Sequence, residues 1–234
     1  MELLFDRDFC AGALLSEEES RHCVKVLRHR AGDIVHVTDG AGRLYDCKIV
    51  KADARGCELE VVGSKEVGGG KPTVHIAVAP TKNNDRLEWA VEKMTEIGVT
   101  KITPLICERS ERERLRIDRL EKIVIAACKQ SLKCVLPEVS EPTTFEDLIE
   151  STTEEERFIL HCGDTPKPHL FEAFTAGRSA IVLIGPEGDF SPTEVKRAIE
   201  KGFKECTLGE ERLRTETAAV VADNIIALKN QINK

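Results

Sequence analysis

Long apolar runs are absent from this 234-residue chain. No stretch approaches the roughly 18 apolar residues that a membrane-spanning helix needs. The first residues, Met1-Glu2-Leu3-Leu4-Phe5-Asp6-Arg7-Asp8, have no basic region ahead of an apolar core, so they do not read as a signal peptide. A cytosolic protein is expected. Paired cysteine motifs are missing too. Nine cysteines stand at 10, 23, 47, 57, 107, 128, 134, 162 and 206, and the nearest two are six residues apart. An odd, scattered set fits neither a zinc site nor a disulfide framework, and no metal is expected. These cysteines read as reduced core or surface thiols. Excess positive charge is lacking as well. The net charge of −7 excludes a protein that coats nucleic acid by bulk charge. Two local basic groups remain: Arg21, Lys25, Arg28 and Arg30 with His22 and His29, and Arg109, Arg112, Arg114, Arg116 and Arg119.

The apolar fraction, 41%, is ordinary, and the charged fraction, 32%, is high. The length suits one large domain, or a small one followed by a medium one. Residues 1 to about 66 show short apolar runs between turn signals. Asp33–Val37, Leu44–Val50 and Cys57–Val62 predict strands, and Asp39-Gly40 predicts a hairpin. Strands at this spacing predict a small barrel or sandwich. Ser16 with Glu19 predicts a capped helix start, a capping box. Gly68-Gly69-Gly70-Lys71-Pro72 has almost nothing to pack and predicts a linker. The expected domains are therefore 1–67 and 73–234, joined by 68–72.

From Thr73 strands and helices alternate. Strands are predicted at 74–79, 101–107, 158–162, 180–184 and 203–208. Helices are predicted at 84–97, capped by Asn84 or Asp85 and ended by Gly98, then at 117–131, 142–149, from the Ser191-Pro192-Thr193-Glu194 cap, and at 216–230. In the helix at 84–97, Leu87, Ala90, Val91, Met94 and Ile97 share one buried face. This alternation predicts an α/β fold, a parallel sheet with helices on both faces. Ligands of such sheets bind at the C-terminal rim of the strands. Two glycine-bearing loops are predicted on that rim: Ile184-Gly185-Pro186-Glu187-Gly188-Asp189-Phe190-Ser191 and Leu208-Gly209-Glu210-Glu211-Arg212-Leu213-Arg214-Thr215-Glu216-Thr217-Ala218.

Neither loop has the Gly-Lys-Ser/Thr ending of a phosphate loop or a dinucleotide Gly-x-Gly-x-x-Gly pattern. Glu187 would repel a phosphate, so a neutral or cationic ligand suits the first loop better. A tight strand-to-helix turn explains the same residues. In the second loop, Thr215 or Thr217 can cap the following helix and Glu216 suits its positive end. Arg214 is not explained by capping.

The two loops together resemble the bacterial 16S rRNA (uracil-N3)-methyltransferase family, of the SPOUT class of S-adenosylmethionine-dependent enzymes. The resemblance runs over nearly the whole chain. It includes Lys82, Asp85, Arg86, Glu88, Lys93, Glu96 and Gly98, then Pro104, Glu108-Arg109-Ser110, Gln130-Ser131 and Leu136-Pro137. In the first domain His22, Val26-Leu27-Arg28, Gly32-Asp33 and Asp39-Gly40-x-Gly42 resemble a PUA-like RNA-binding module. The family implies a parallel sheet with a C-terminal trefoil knot, preceded by a small PUA-like β-barrel. It also implies a homodimer, S-adenosyl-L-methionine as methyl donor, and methylation of N3 of a uridine in 16S rRNA of the small ribosomal subunit. Carried onto this chain, the donor pocket comprises His161, Cys162, Ile184, Gly185, Pro186, Glu187, Gly188, Leu208, Gly209, Leu213, Thr215 and Thr217. The catalytic candidates are Arg214, Arg86 and Glu216. The RNA-binding candidates are Arg21, His22, Lys25, Arg28, Arg30 and Arg109. The alternatives are a non-catalytic RNA-binding or ribosome assembly factor, and a methyltransferase on another RNA. Two departures stand out. Gln130-Ser131-Leu132-Lys133 replaces the family's usual Gln-Ser-Gly-Arg. Glu211 stands where an arginine is frequent, with Arg212 beside it.

Overall fold

The computed structural model describes residues 2–9, 14–70, 72–112, 114–163 and 166–232. Cys10 and the linker residue Lys71 lie outside the described residues. The chain folds as two compact units, 1–70 with 125–136, and 71–124 with 137–234.

In the first unit, β1 (Leu3–Phe5), β2 (Ile34–Thr38), β3 (Arg43–Lys51) and β4 (Glu58–Glu66) form one sheet in that order. It is a single mixed sheet, not the two facing sheets of a sandwich: β1 runs parallel to β2, and the other pairs are antiparallel. The period-2 alternation puts Val35, Val37, Tyr45, Cys47, Ile49 and Leu59 into one core with Leu4, Phe9, Leu15 and Cys23. The opposite face places Leu3 and Leu44 against Cys134. Segment 134–136 is bonded to the β2–β3 turn, with Gly42 N donating to Cys134 O at 2.8 Å and Leu136 N to Gly40 O at 2.9 Å. Gly40 is required there twice over. Its φ is +77°, and a Cβ would stand 2.8 Å from both Leu136 and Phe5 carbons.

Helix α1 (Glu17–Arg21) starts as expected, with Ser16 Oγ accepting from Glu19 N at 3.4 Å, and continues into a π-helical turn, His22–Val26. The capping box is only half made. Ser16 N donates to Asp6 Oδ2 at 2.8 Å, while the buried Glu19 carboxylate accepts from Phe5 N at 3.3 Å and pairs with Lys129. A carboxylate able to satisfy an ammonium and a strand amide in the interior has no reason to fold back on its own helix.

The second unit alternates β5 (Val74–Val78), α2 (Asn84–Ile97), β6 (Lys101–Ile106), α3 (Ile117–Gln130), β7 (Glu138–Val139), β8 (Thr143–Thr144), α4 (Phe145–Ser151), β9 (Glu156–Leu160), α5 (Leu170–Ala173), β10 (Ala180–Ile184), α6 (Pro192–Glu200), β11 (Lys204–Cys206) and α7 (Thr215–Ile232). Helix α3 ends within the segment that belongs to the first unit. The strand order is β11-β9-β10-β5-β6-β7, with β8 also on β6, and these strands pair in parallel throughout. One face of the sheet buries Ala77, Leu105, Ile159, Ile181 and Leu183 against Phe145 and Leu148 of α4 and Ala198 of α6. Helices α2 and α7 pack together, and α7 meets β5 and β10. Each fully buried aliphatic side chain here contributes roughly 1.5–3 kcal/mol. In α2, Leu87, Ala90, Val91 and Met94 are buried as their spacing predicts, whereas Ile97, the last residue of the helix, is only half-buried. Its cap is Asn83, whose side chain accepts from Asp85 N at 3.0 Å, and not Asn84 or Asp85. The box at Ser191 and Glu194 is complete.

Of the eight described cysteines all are free thiols, and only Cys162 is exposed. Burial pushes the Cys23 thiol up to about 12 and those of Cys47 and Cys128 up to about 11, so they stay protonated and behave as small apolar side chains.

Helix α3 ends in a Schellman motif: Lys133 N donates to Cys128 O at 2.9 Å and Leu132 N to Lys129 O at 3.4 Å. The residue at its left-handed position is Leu132, with φ 58°. A side chain there costs about 1–2 kcal/mol, whereas glycine gives back about 0.5–1 kcal/mol in added flexibility of the unfolded chain. Leu132→Gly is therefore expected to stabilise the protein by up to about 1 kcal/mol, raising Tm by about 2–4 °C. A thermal unfolding scan beside Leu132→Ala, which keeps the strain, checks it; equal or lower Tm for the glycine variant contradicts the assignment.

Candidate active site

Register brings the site together. Ile184 pairs with Val78 and with Leu160, Cys206 pairs with Leu160, and Val78 pairs with Pro104. Five parallel strands thus end near one level, and the loops after them leave from one edge of the sheet. Three of these loops, 161–163, 185–189 and 207–214, line a cavity of about 780 Å³ together with Leu160, Lys167, Thr215 and Ala218. That volume is within the range of small-molecule sites.

Most of the expected donor residues line it: His161, Cys162, Ile184, Gly185, Pro186, Glu187, Leu208, Gly209, Leu213 and Thr215, as does Arg214. Gly188 and Thr217 lie outside the lining, as do Arg86 and Glu216. Gly188 faces Arg109 instead, and Thr217 sits in the first turn of α7.

The first glycine loop is held from several directions. Asp189 adopts φ 61°, a left-handed conformation that aspartate tolerates better than most side chains. Its Oδ2 accepts from Cys162 N at 2.9 Å, tying two rim loops together. Glu187 Oε1 accepts from Lys82 N at 3.0 Å, which ties it to the loop after β5. Gly185 permits the closest approach: a Cβ would meet the Phe190 ring at 3.1 Å and Phe190 N at 3.2 Å. Thr215 Oγ1 is buried and donates to Gly185 O at 3.0 Å. Thr215, one of the two threonines able to cap the helix, therefore bonds across to the first loop. Helix α7 opens instead with Arg214 O accepting from Ala218 N at 2.8 Å.

His161 Nδ1 accepts from Gly163 N at 3.2 Å, which leaves Nε2 to donate to Glu205 Oε1 at 2.8 Å. The histidine fixes the shape of its own loop. Cys206 also lines the cavity; burial pushes its thiol up to about 11, so it is no nucleophile at neutral pH. Arg214 is exposed, and its guanidinium has no partner among the described residues. Glu216 is 7% exposed, its Oε1 lies 3.8 Å from Arg86 Nε, and its buried Oε2 has no partner among the described residues.

Family models decide the lineage. One for an RNA methyltransferase domain matches residues 70–227, and one for an RNA methyltransferase PUA domain matches residues 15–62. The chain belongs to the RNA methyltransferase family. As a methyltransferase it has well-covered relatives. It is 35% identical over 192 residues, 79% of this chain and 81% of the relative, to ribosomal RNA small subunit methyltransferase E of Aquifex aeolicus. The crystal structure of a probable rRNA-methyltransferase from Porphyromonas gingivalis matches at TM-score 0.95 and 36% identity over 100% of both chains. Ribosomal RNA small subunit methyltransferase E from Neisseria gonorrhoeae, solved bound to S-adenosyl methionine, matches at TM-score 0.84 and 25% identity over 95% of both chains.

The RNA-binding candidates of this methyltransferase divide between the units. Arg21, His22, Lys25, Arg28 and Arg30 belong to the first. Arg21 pairs with Glu17 at 3.1 Å, an exposed contact worth about 0–1 kcal/mol, and shares a surface cleft with Glu17, Glu18, Glu19 and His22. Arg28 has φ 64°. Arg109 belongs to the second unit and donates to Gly188 O at 2.9 Å. Among the described residues no group of three or more His, Cys, Asp or Glu side chains is placed to hold a metal ion.

The cavity-lining residues not singled out from sequence include Asp189, Gly163, Lys167, Cys206 and Thr207. Asp189 carried a usable signal, since an aspartate after glycine in a strand-to-helix loop suits left-handed backbone and backbone capping. Thr207 and Lys167 carried none, because only the fold brings their segments to the rim.

The Thr215–Gly185 bond gives a direct test. Thr215→Val keeps the shape and removes the donor, leaving a buried carbonyl unsatisfied. A loss of about 1–3 kcal/mol is expected in denaturant unfolding, with Thr215→Ser much closer to the parent. Equal stability of the valine variant would show that the bond contributes nothing.

Proposed function

We propose that this enzyme uses S-adenosyl-L-methionine to methylate N3 of a specific uridine in 16S rRNA of the small ribosomal subunit. The observation that carries the reading is the cavity at the strand ends with Arg214 on its wall. In this reading the second unit holds the donor and performs the chemistry, and the first recognises RNA. The protein works in the cytosol as a homodimer, and its C-terminal part forms a trefoil knot, a rare departure from unknotted topology.

The residues fit such a donor. Gly185, Pro186 and Gly209 offer backbone at close range, and Leu160, Ile184, Leu208 and Leu213 offer apolar contact. The carboxylates of Glu187 and Asp189 line the same wall and suit a ligand carrying positive charge. When bound, the donor supplies a methyl group already activated by its sulfonium sulfur. The protein's task is then positioning and charge control.

Uracil N3 must lose its proton, leaving negative charge on N3 and the two carbonyl oxygens. The Arg214 guanidinium is the cation that favours this anion. Arg86 is the second candidate, held near Glu216. Glu216, with Oε2 unpartnered, orients that arginine or takes the proton. N3 is occupied in a Watson–Crick pair, so the uridine must be unpaired or swung out. Recognition therefore targets structured RNA with an accessible base.

Mass spectrometry of 16S rRNA from a deletion strain is expected to show loss of N3-methyluridine, restored by the parent gene. Arg214→Ala is expected to lower the rate by roughly 10²–10³-fold without loss of donor binding. Persistence of the modified base in the deletion strain sinks the reaction; unaltered activity and RNA affinity of Arg214→Ala sink the residue's role.

Neutralising Arg21, Lys25, Arg28 and Arg30 together is expected to weaken RNA binding. It should also flatten the slope of log K against log salt by about 0.7–0.9 for each phosphate contact removed. Binding that is unchanged at every salt concentration would falsify the assignment of this patch.

A further inference from the structure

Arg109 reaches the donor loop from outside the cavity. It sits on a turn closed by Ser110 N donating to Cys107 O at 3.0 Å and Cys107 N donating to Ser110 Oγ at 2.9 Å. The turn is bound to the start of α6, because Glu108 N donates to Glu194 Oε1 at 2.9 Å. The same carboxylate uses Oε2 to accept from Ser191 N at 2.8 Å. Glu194 thus joins the turn after β6 to the last residue of the glycine loop.

From this anchored turn, Arg109 Nη1 donates to Gly188 O at 2.9 Å and to Phe190 O at 3.4 Å. Its aliphatic stem lies over Gly188, where an added Cβ would stand 3.6 Å from its Cβ and Cδ. One cation therefore holds the carbonyls on either side of Asp189, the residue with φ 61° whose carboxylate grips Cys162 N. The left-handed turn at Asp189 and the close approach of Gly185 to Phe190 both depend on where these two peptide planes lie.

We propose that Arg109 is a positioning residue of the donor pocket and not an RNA contact. It fixes Gly188 to Phe190 from the outer side, and Gly185 to Glu187 then present their backbone to the donor already in the binding arrangement. Such preorganisation raises affinity by removing the ordering of the loop from the binding step. Both carbonyls accept from the one nitrogen Nη1, so a lysine ammonium has donors enough and differs in reach and geometry. The inference rests on the reading of the cavity as the donor site.

Calorimetric titration of S-adenosyl-L-methionine into the parent, Arg109→Ala and Arg109→Lys, beside RNA binding at several salt concentrations, tests it. Thermal melts of all three set a temperature at which each is folded. Arg109→Ala is expected to weaken donor binding about tenfold, the effect of losing a charge-assisted hydrogen bond or two. Its KM for the donor should rise while kcat changes little, lysine should recover part of the affinity, and RNA affinity and its salt slope should not move. Unchanged donor binding overturns the proposal. A fall in RNA affinity with a flatter salt slope, donor binding being intact, overturns it in favour of a phosphate contact. If the parent protein itself binds no donor, the reading of the cavity fails, and the inference falls with it; this outcome is separate from one in which parent and variant bind equally.

Discussion

The common register of β5, β9 and β10 is the constraint on which the site depends. Parallel strands that end together must send their loops out from the same edge. Val78 and Leu160 both pair with Ile184, one on each side, so the loops after the three strands begin side by side. Both faces of β5 and β10 are buried, so a slip by one residue would exchange the side chains packed against the two helix layers.

Within this frame, the glycine loop is held rigidly by polar bonds that run outside its own segment. Thr215 satisfies Gly185 O, Glu187 satisfies Lys82 N, Asp189 satisfies Cys162 N, and Arg109 satisfies Gly188 O. Each bond comes from a different part of the chain. The acidic residues of the loop are consequently engaged with backbone amides, which explains why a wall containing two carboxylates can form at all. Arg214, at the point where α7 begins, stays uncommitted among the described residues, as does Arg212 on the same wall. A wall of fixed backbone with unengaged cations beside it is arranged to position a ligand and to stabilise a developing anion.

The first unit shows the same economy on a smaller core. The β2–β3 turn needs Gly40 because Leu136 and Phe5 close over it. Segment 125–136, distant in sequence, completes this unit, and it does so through main-chain bonds at Gly40 and Gly42. Leu132 carries the left-handed turn that ends α3, a place where the local chemistry favours glycine. Arg21 and His22 stand beside Glu17, Glu18 and Glu19, so this end of the basic patch is of mixed charge.

By itself the sequence determined the alternation of strands and helices, the buried face of α2, the hairpin at Asp39-Gly40 and the capped start of α6. These follow from local propensity and periodicity, which the chain expresses within a window of a few residues. It also marked the two glycine loops and Arg214, because glycine and an unexplained arginine at strand-to-helix joints are visible without a fold. Tertiary structure decided the rest. Whether Glu19 would cap its helix or bind Lys129 depended on a partner 110 positions away. Thr215 could have been a cap or a cross-loop donor, and only the approach of Gly185 chose between them. Arg109 reads as a basic surface residue in sequence and becomes a support of the glycine loop once Gly188 and Phe190 are beside it. The same holds for segment 125–136, whose membership of the first unit rests on its bonds with Gly40 and Gly42. Long-range hydrogen bonds select among side-chain roles that local chemistry leaves equal, because a buried polar group goes to whichever partner the fold brings within reach.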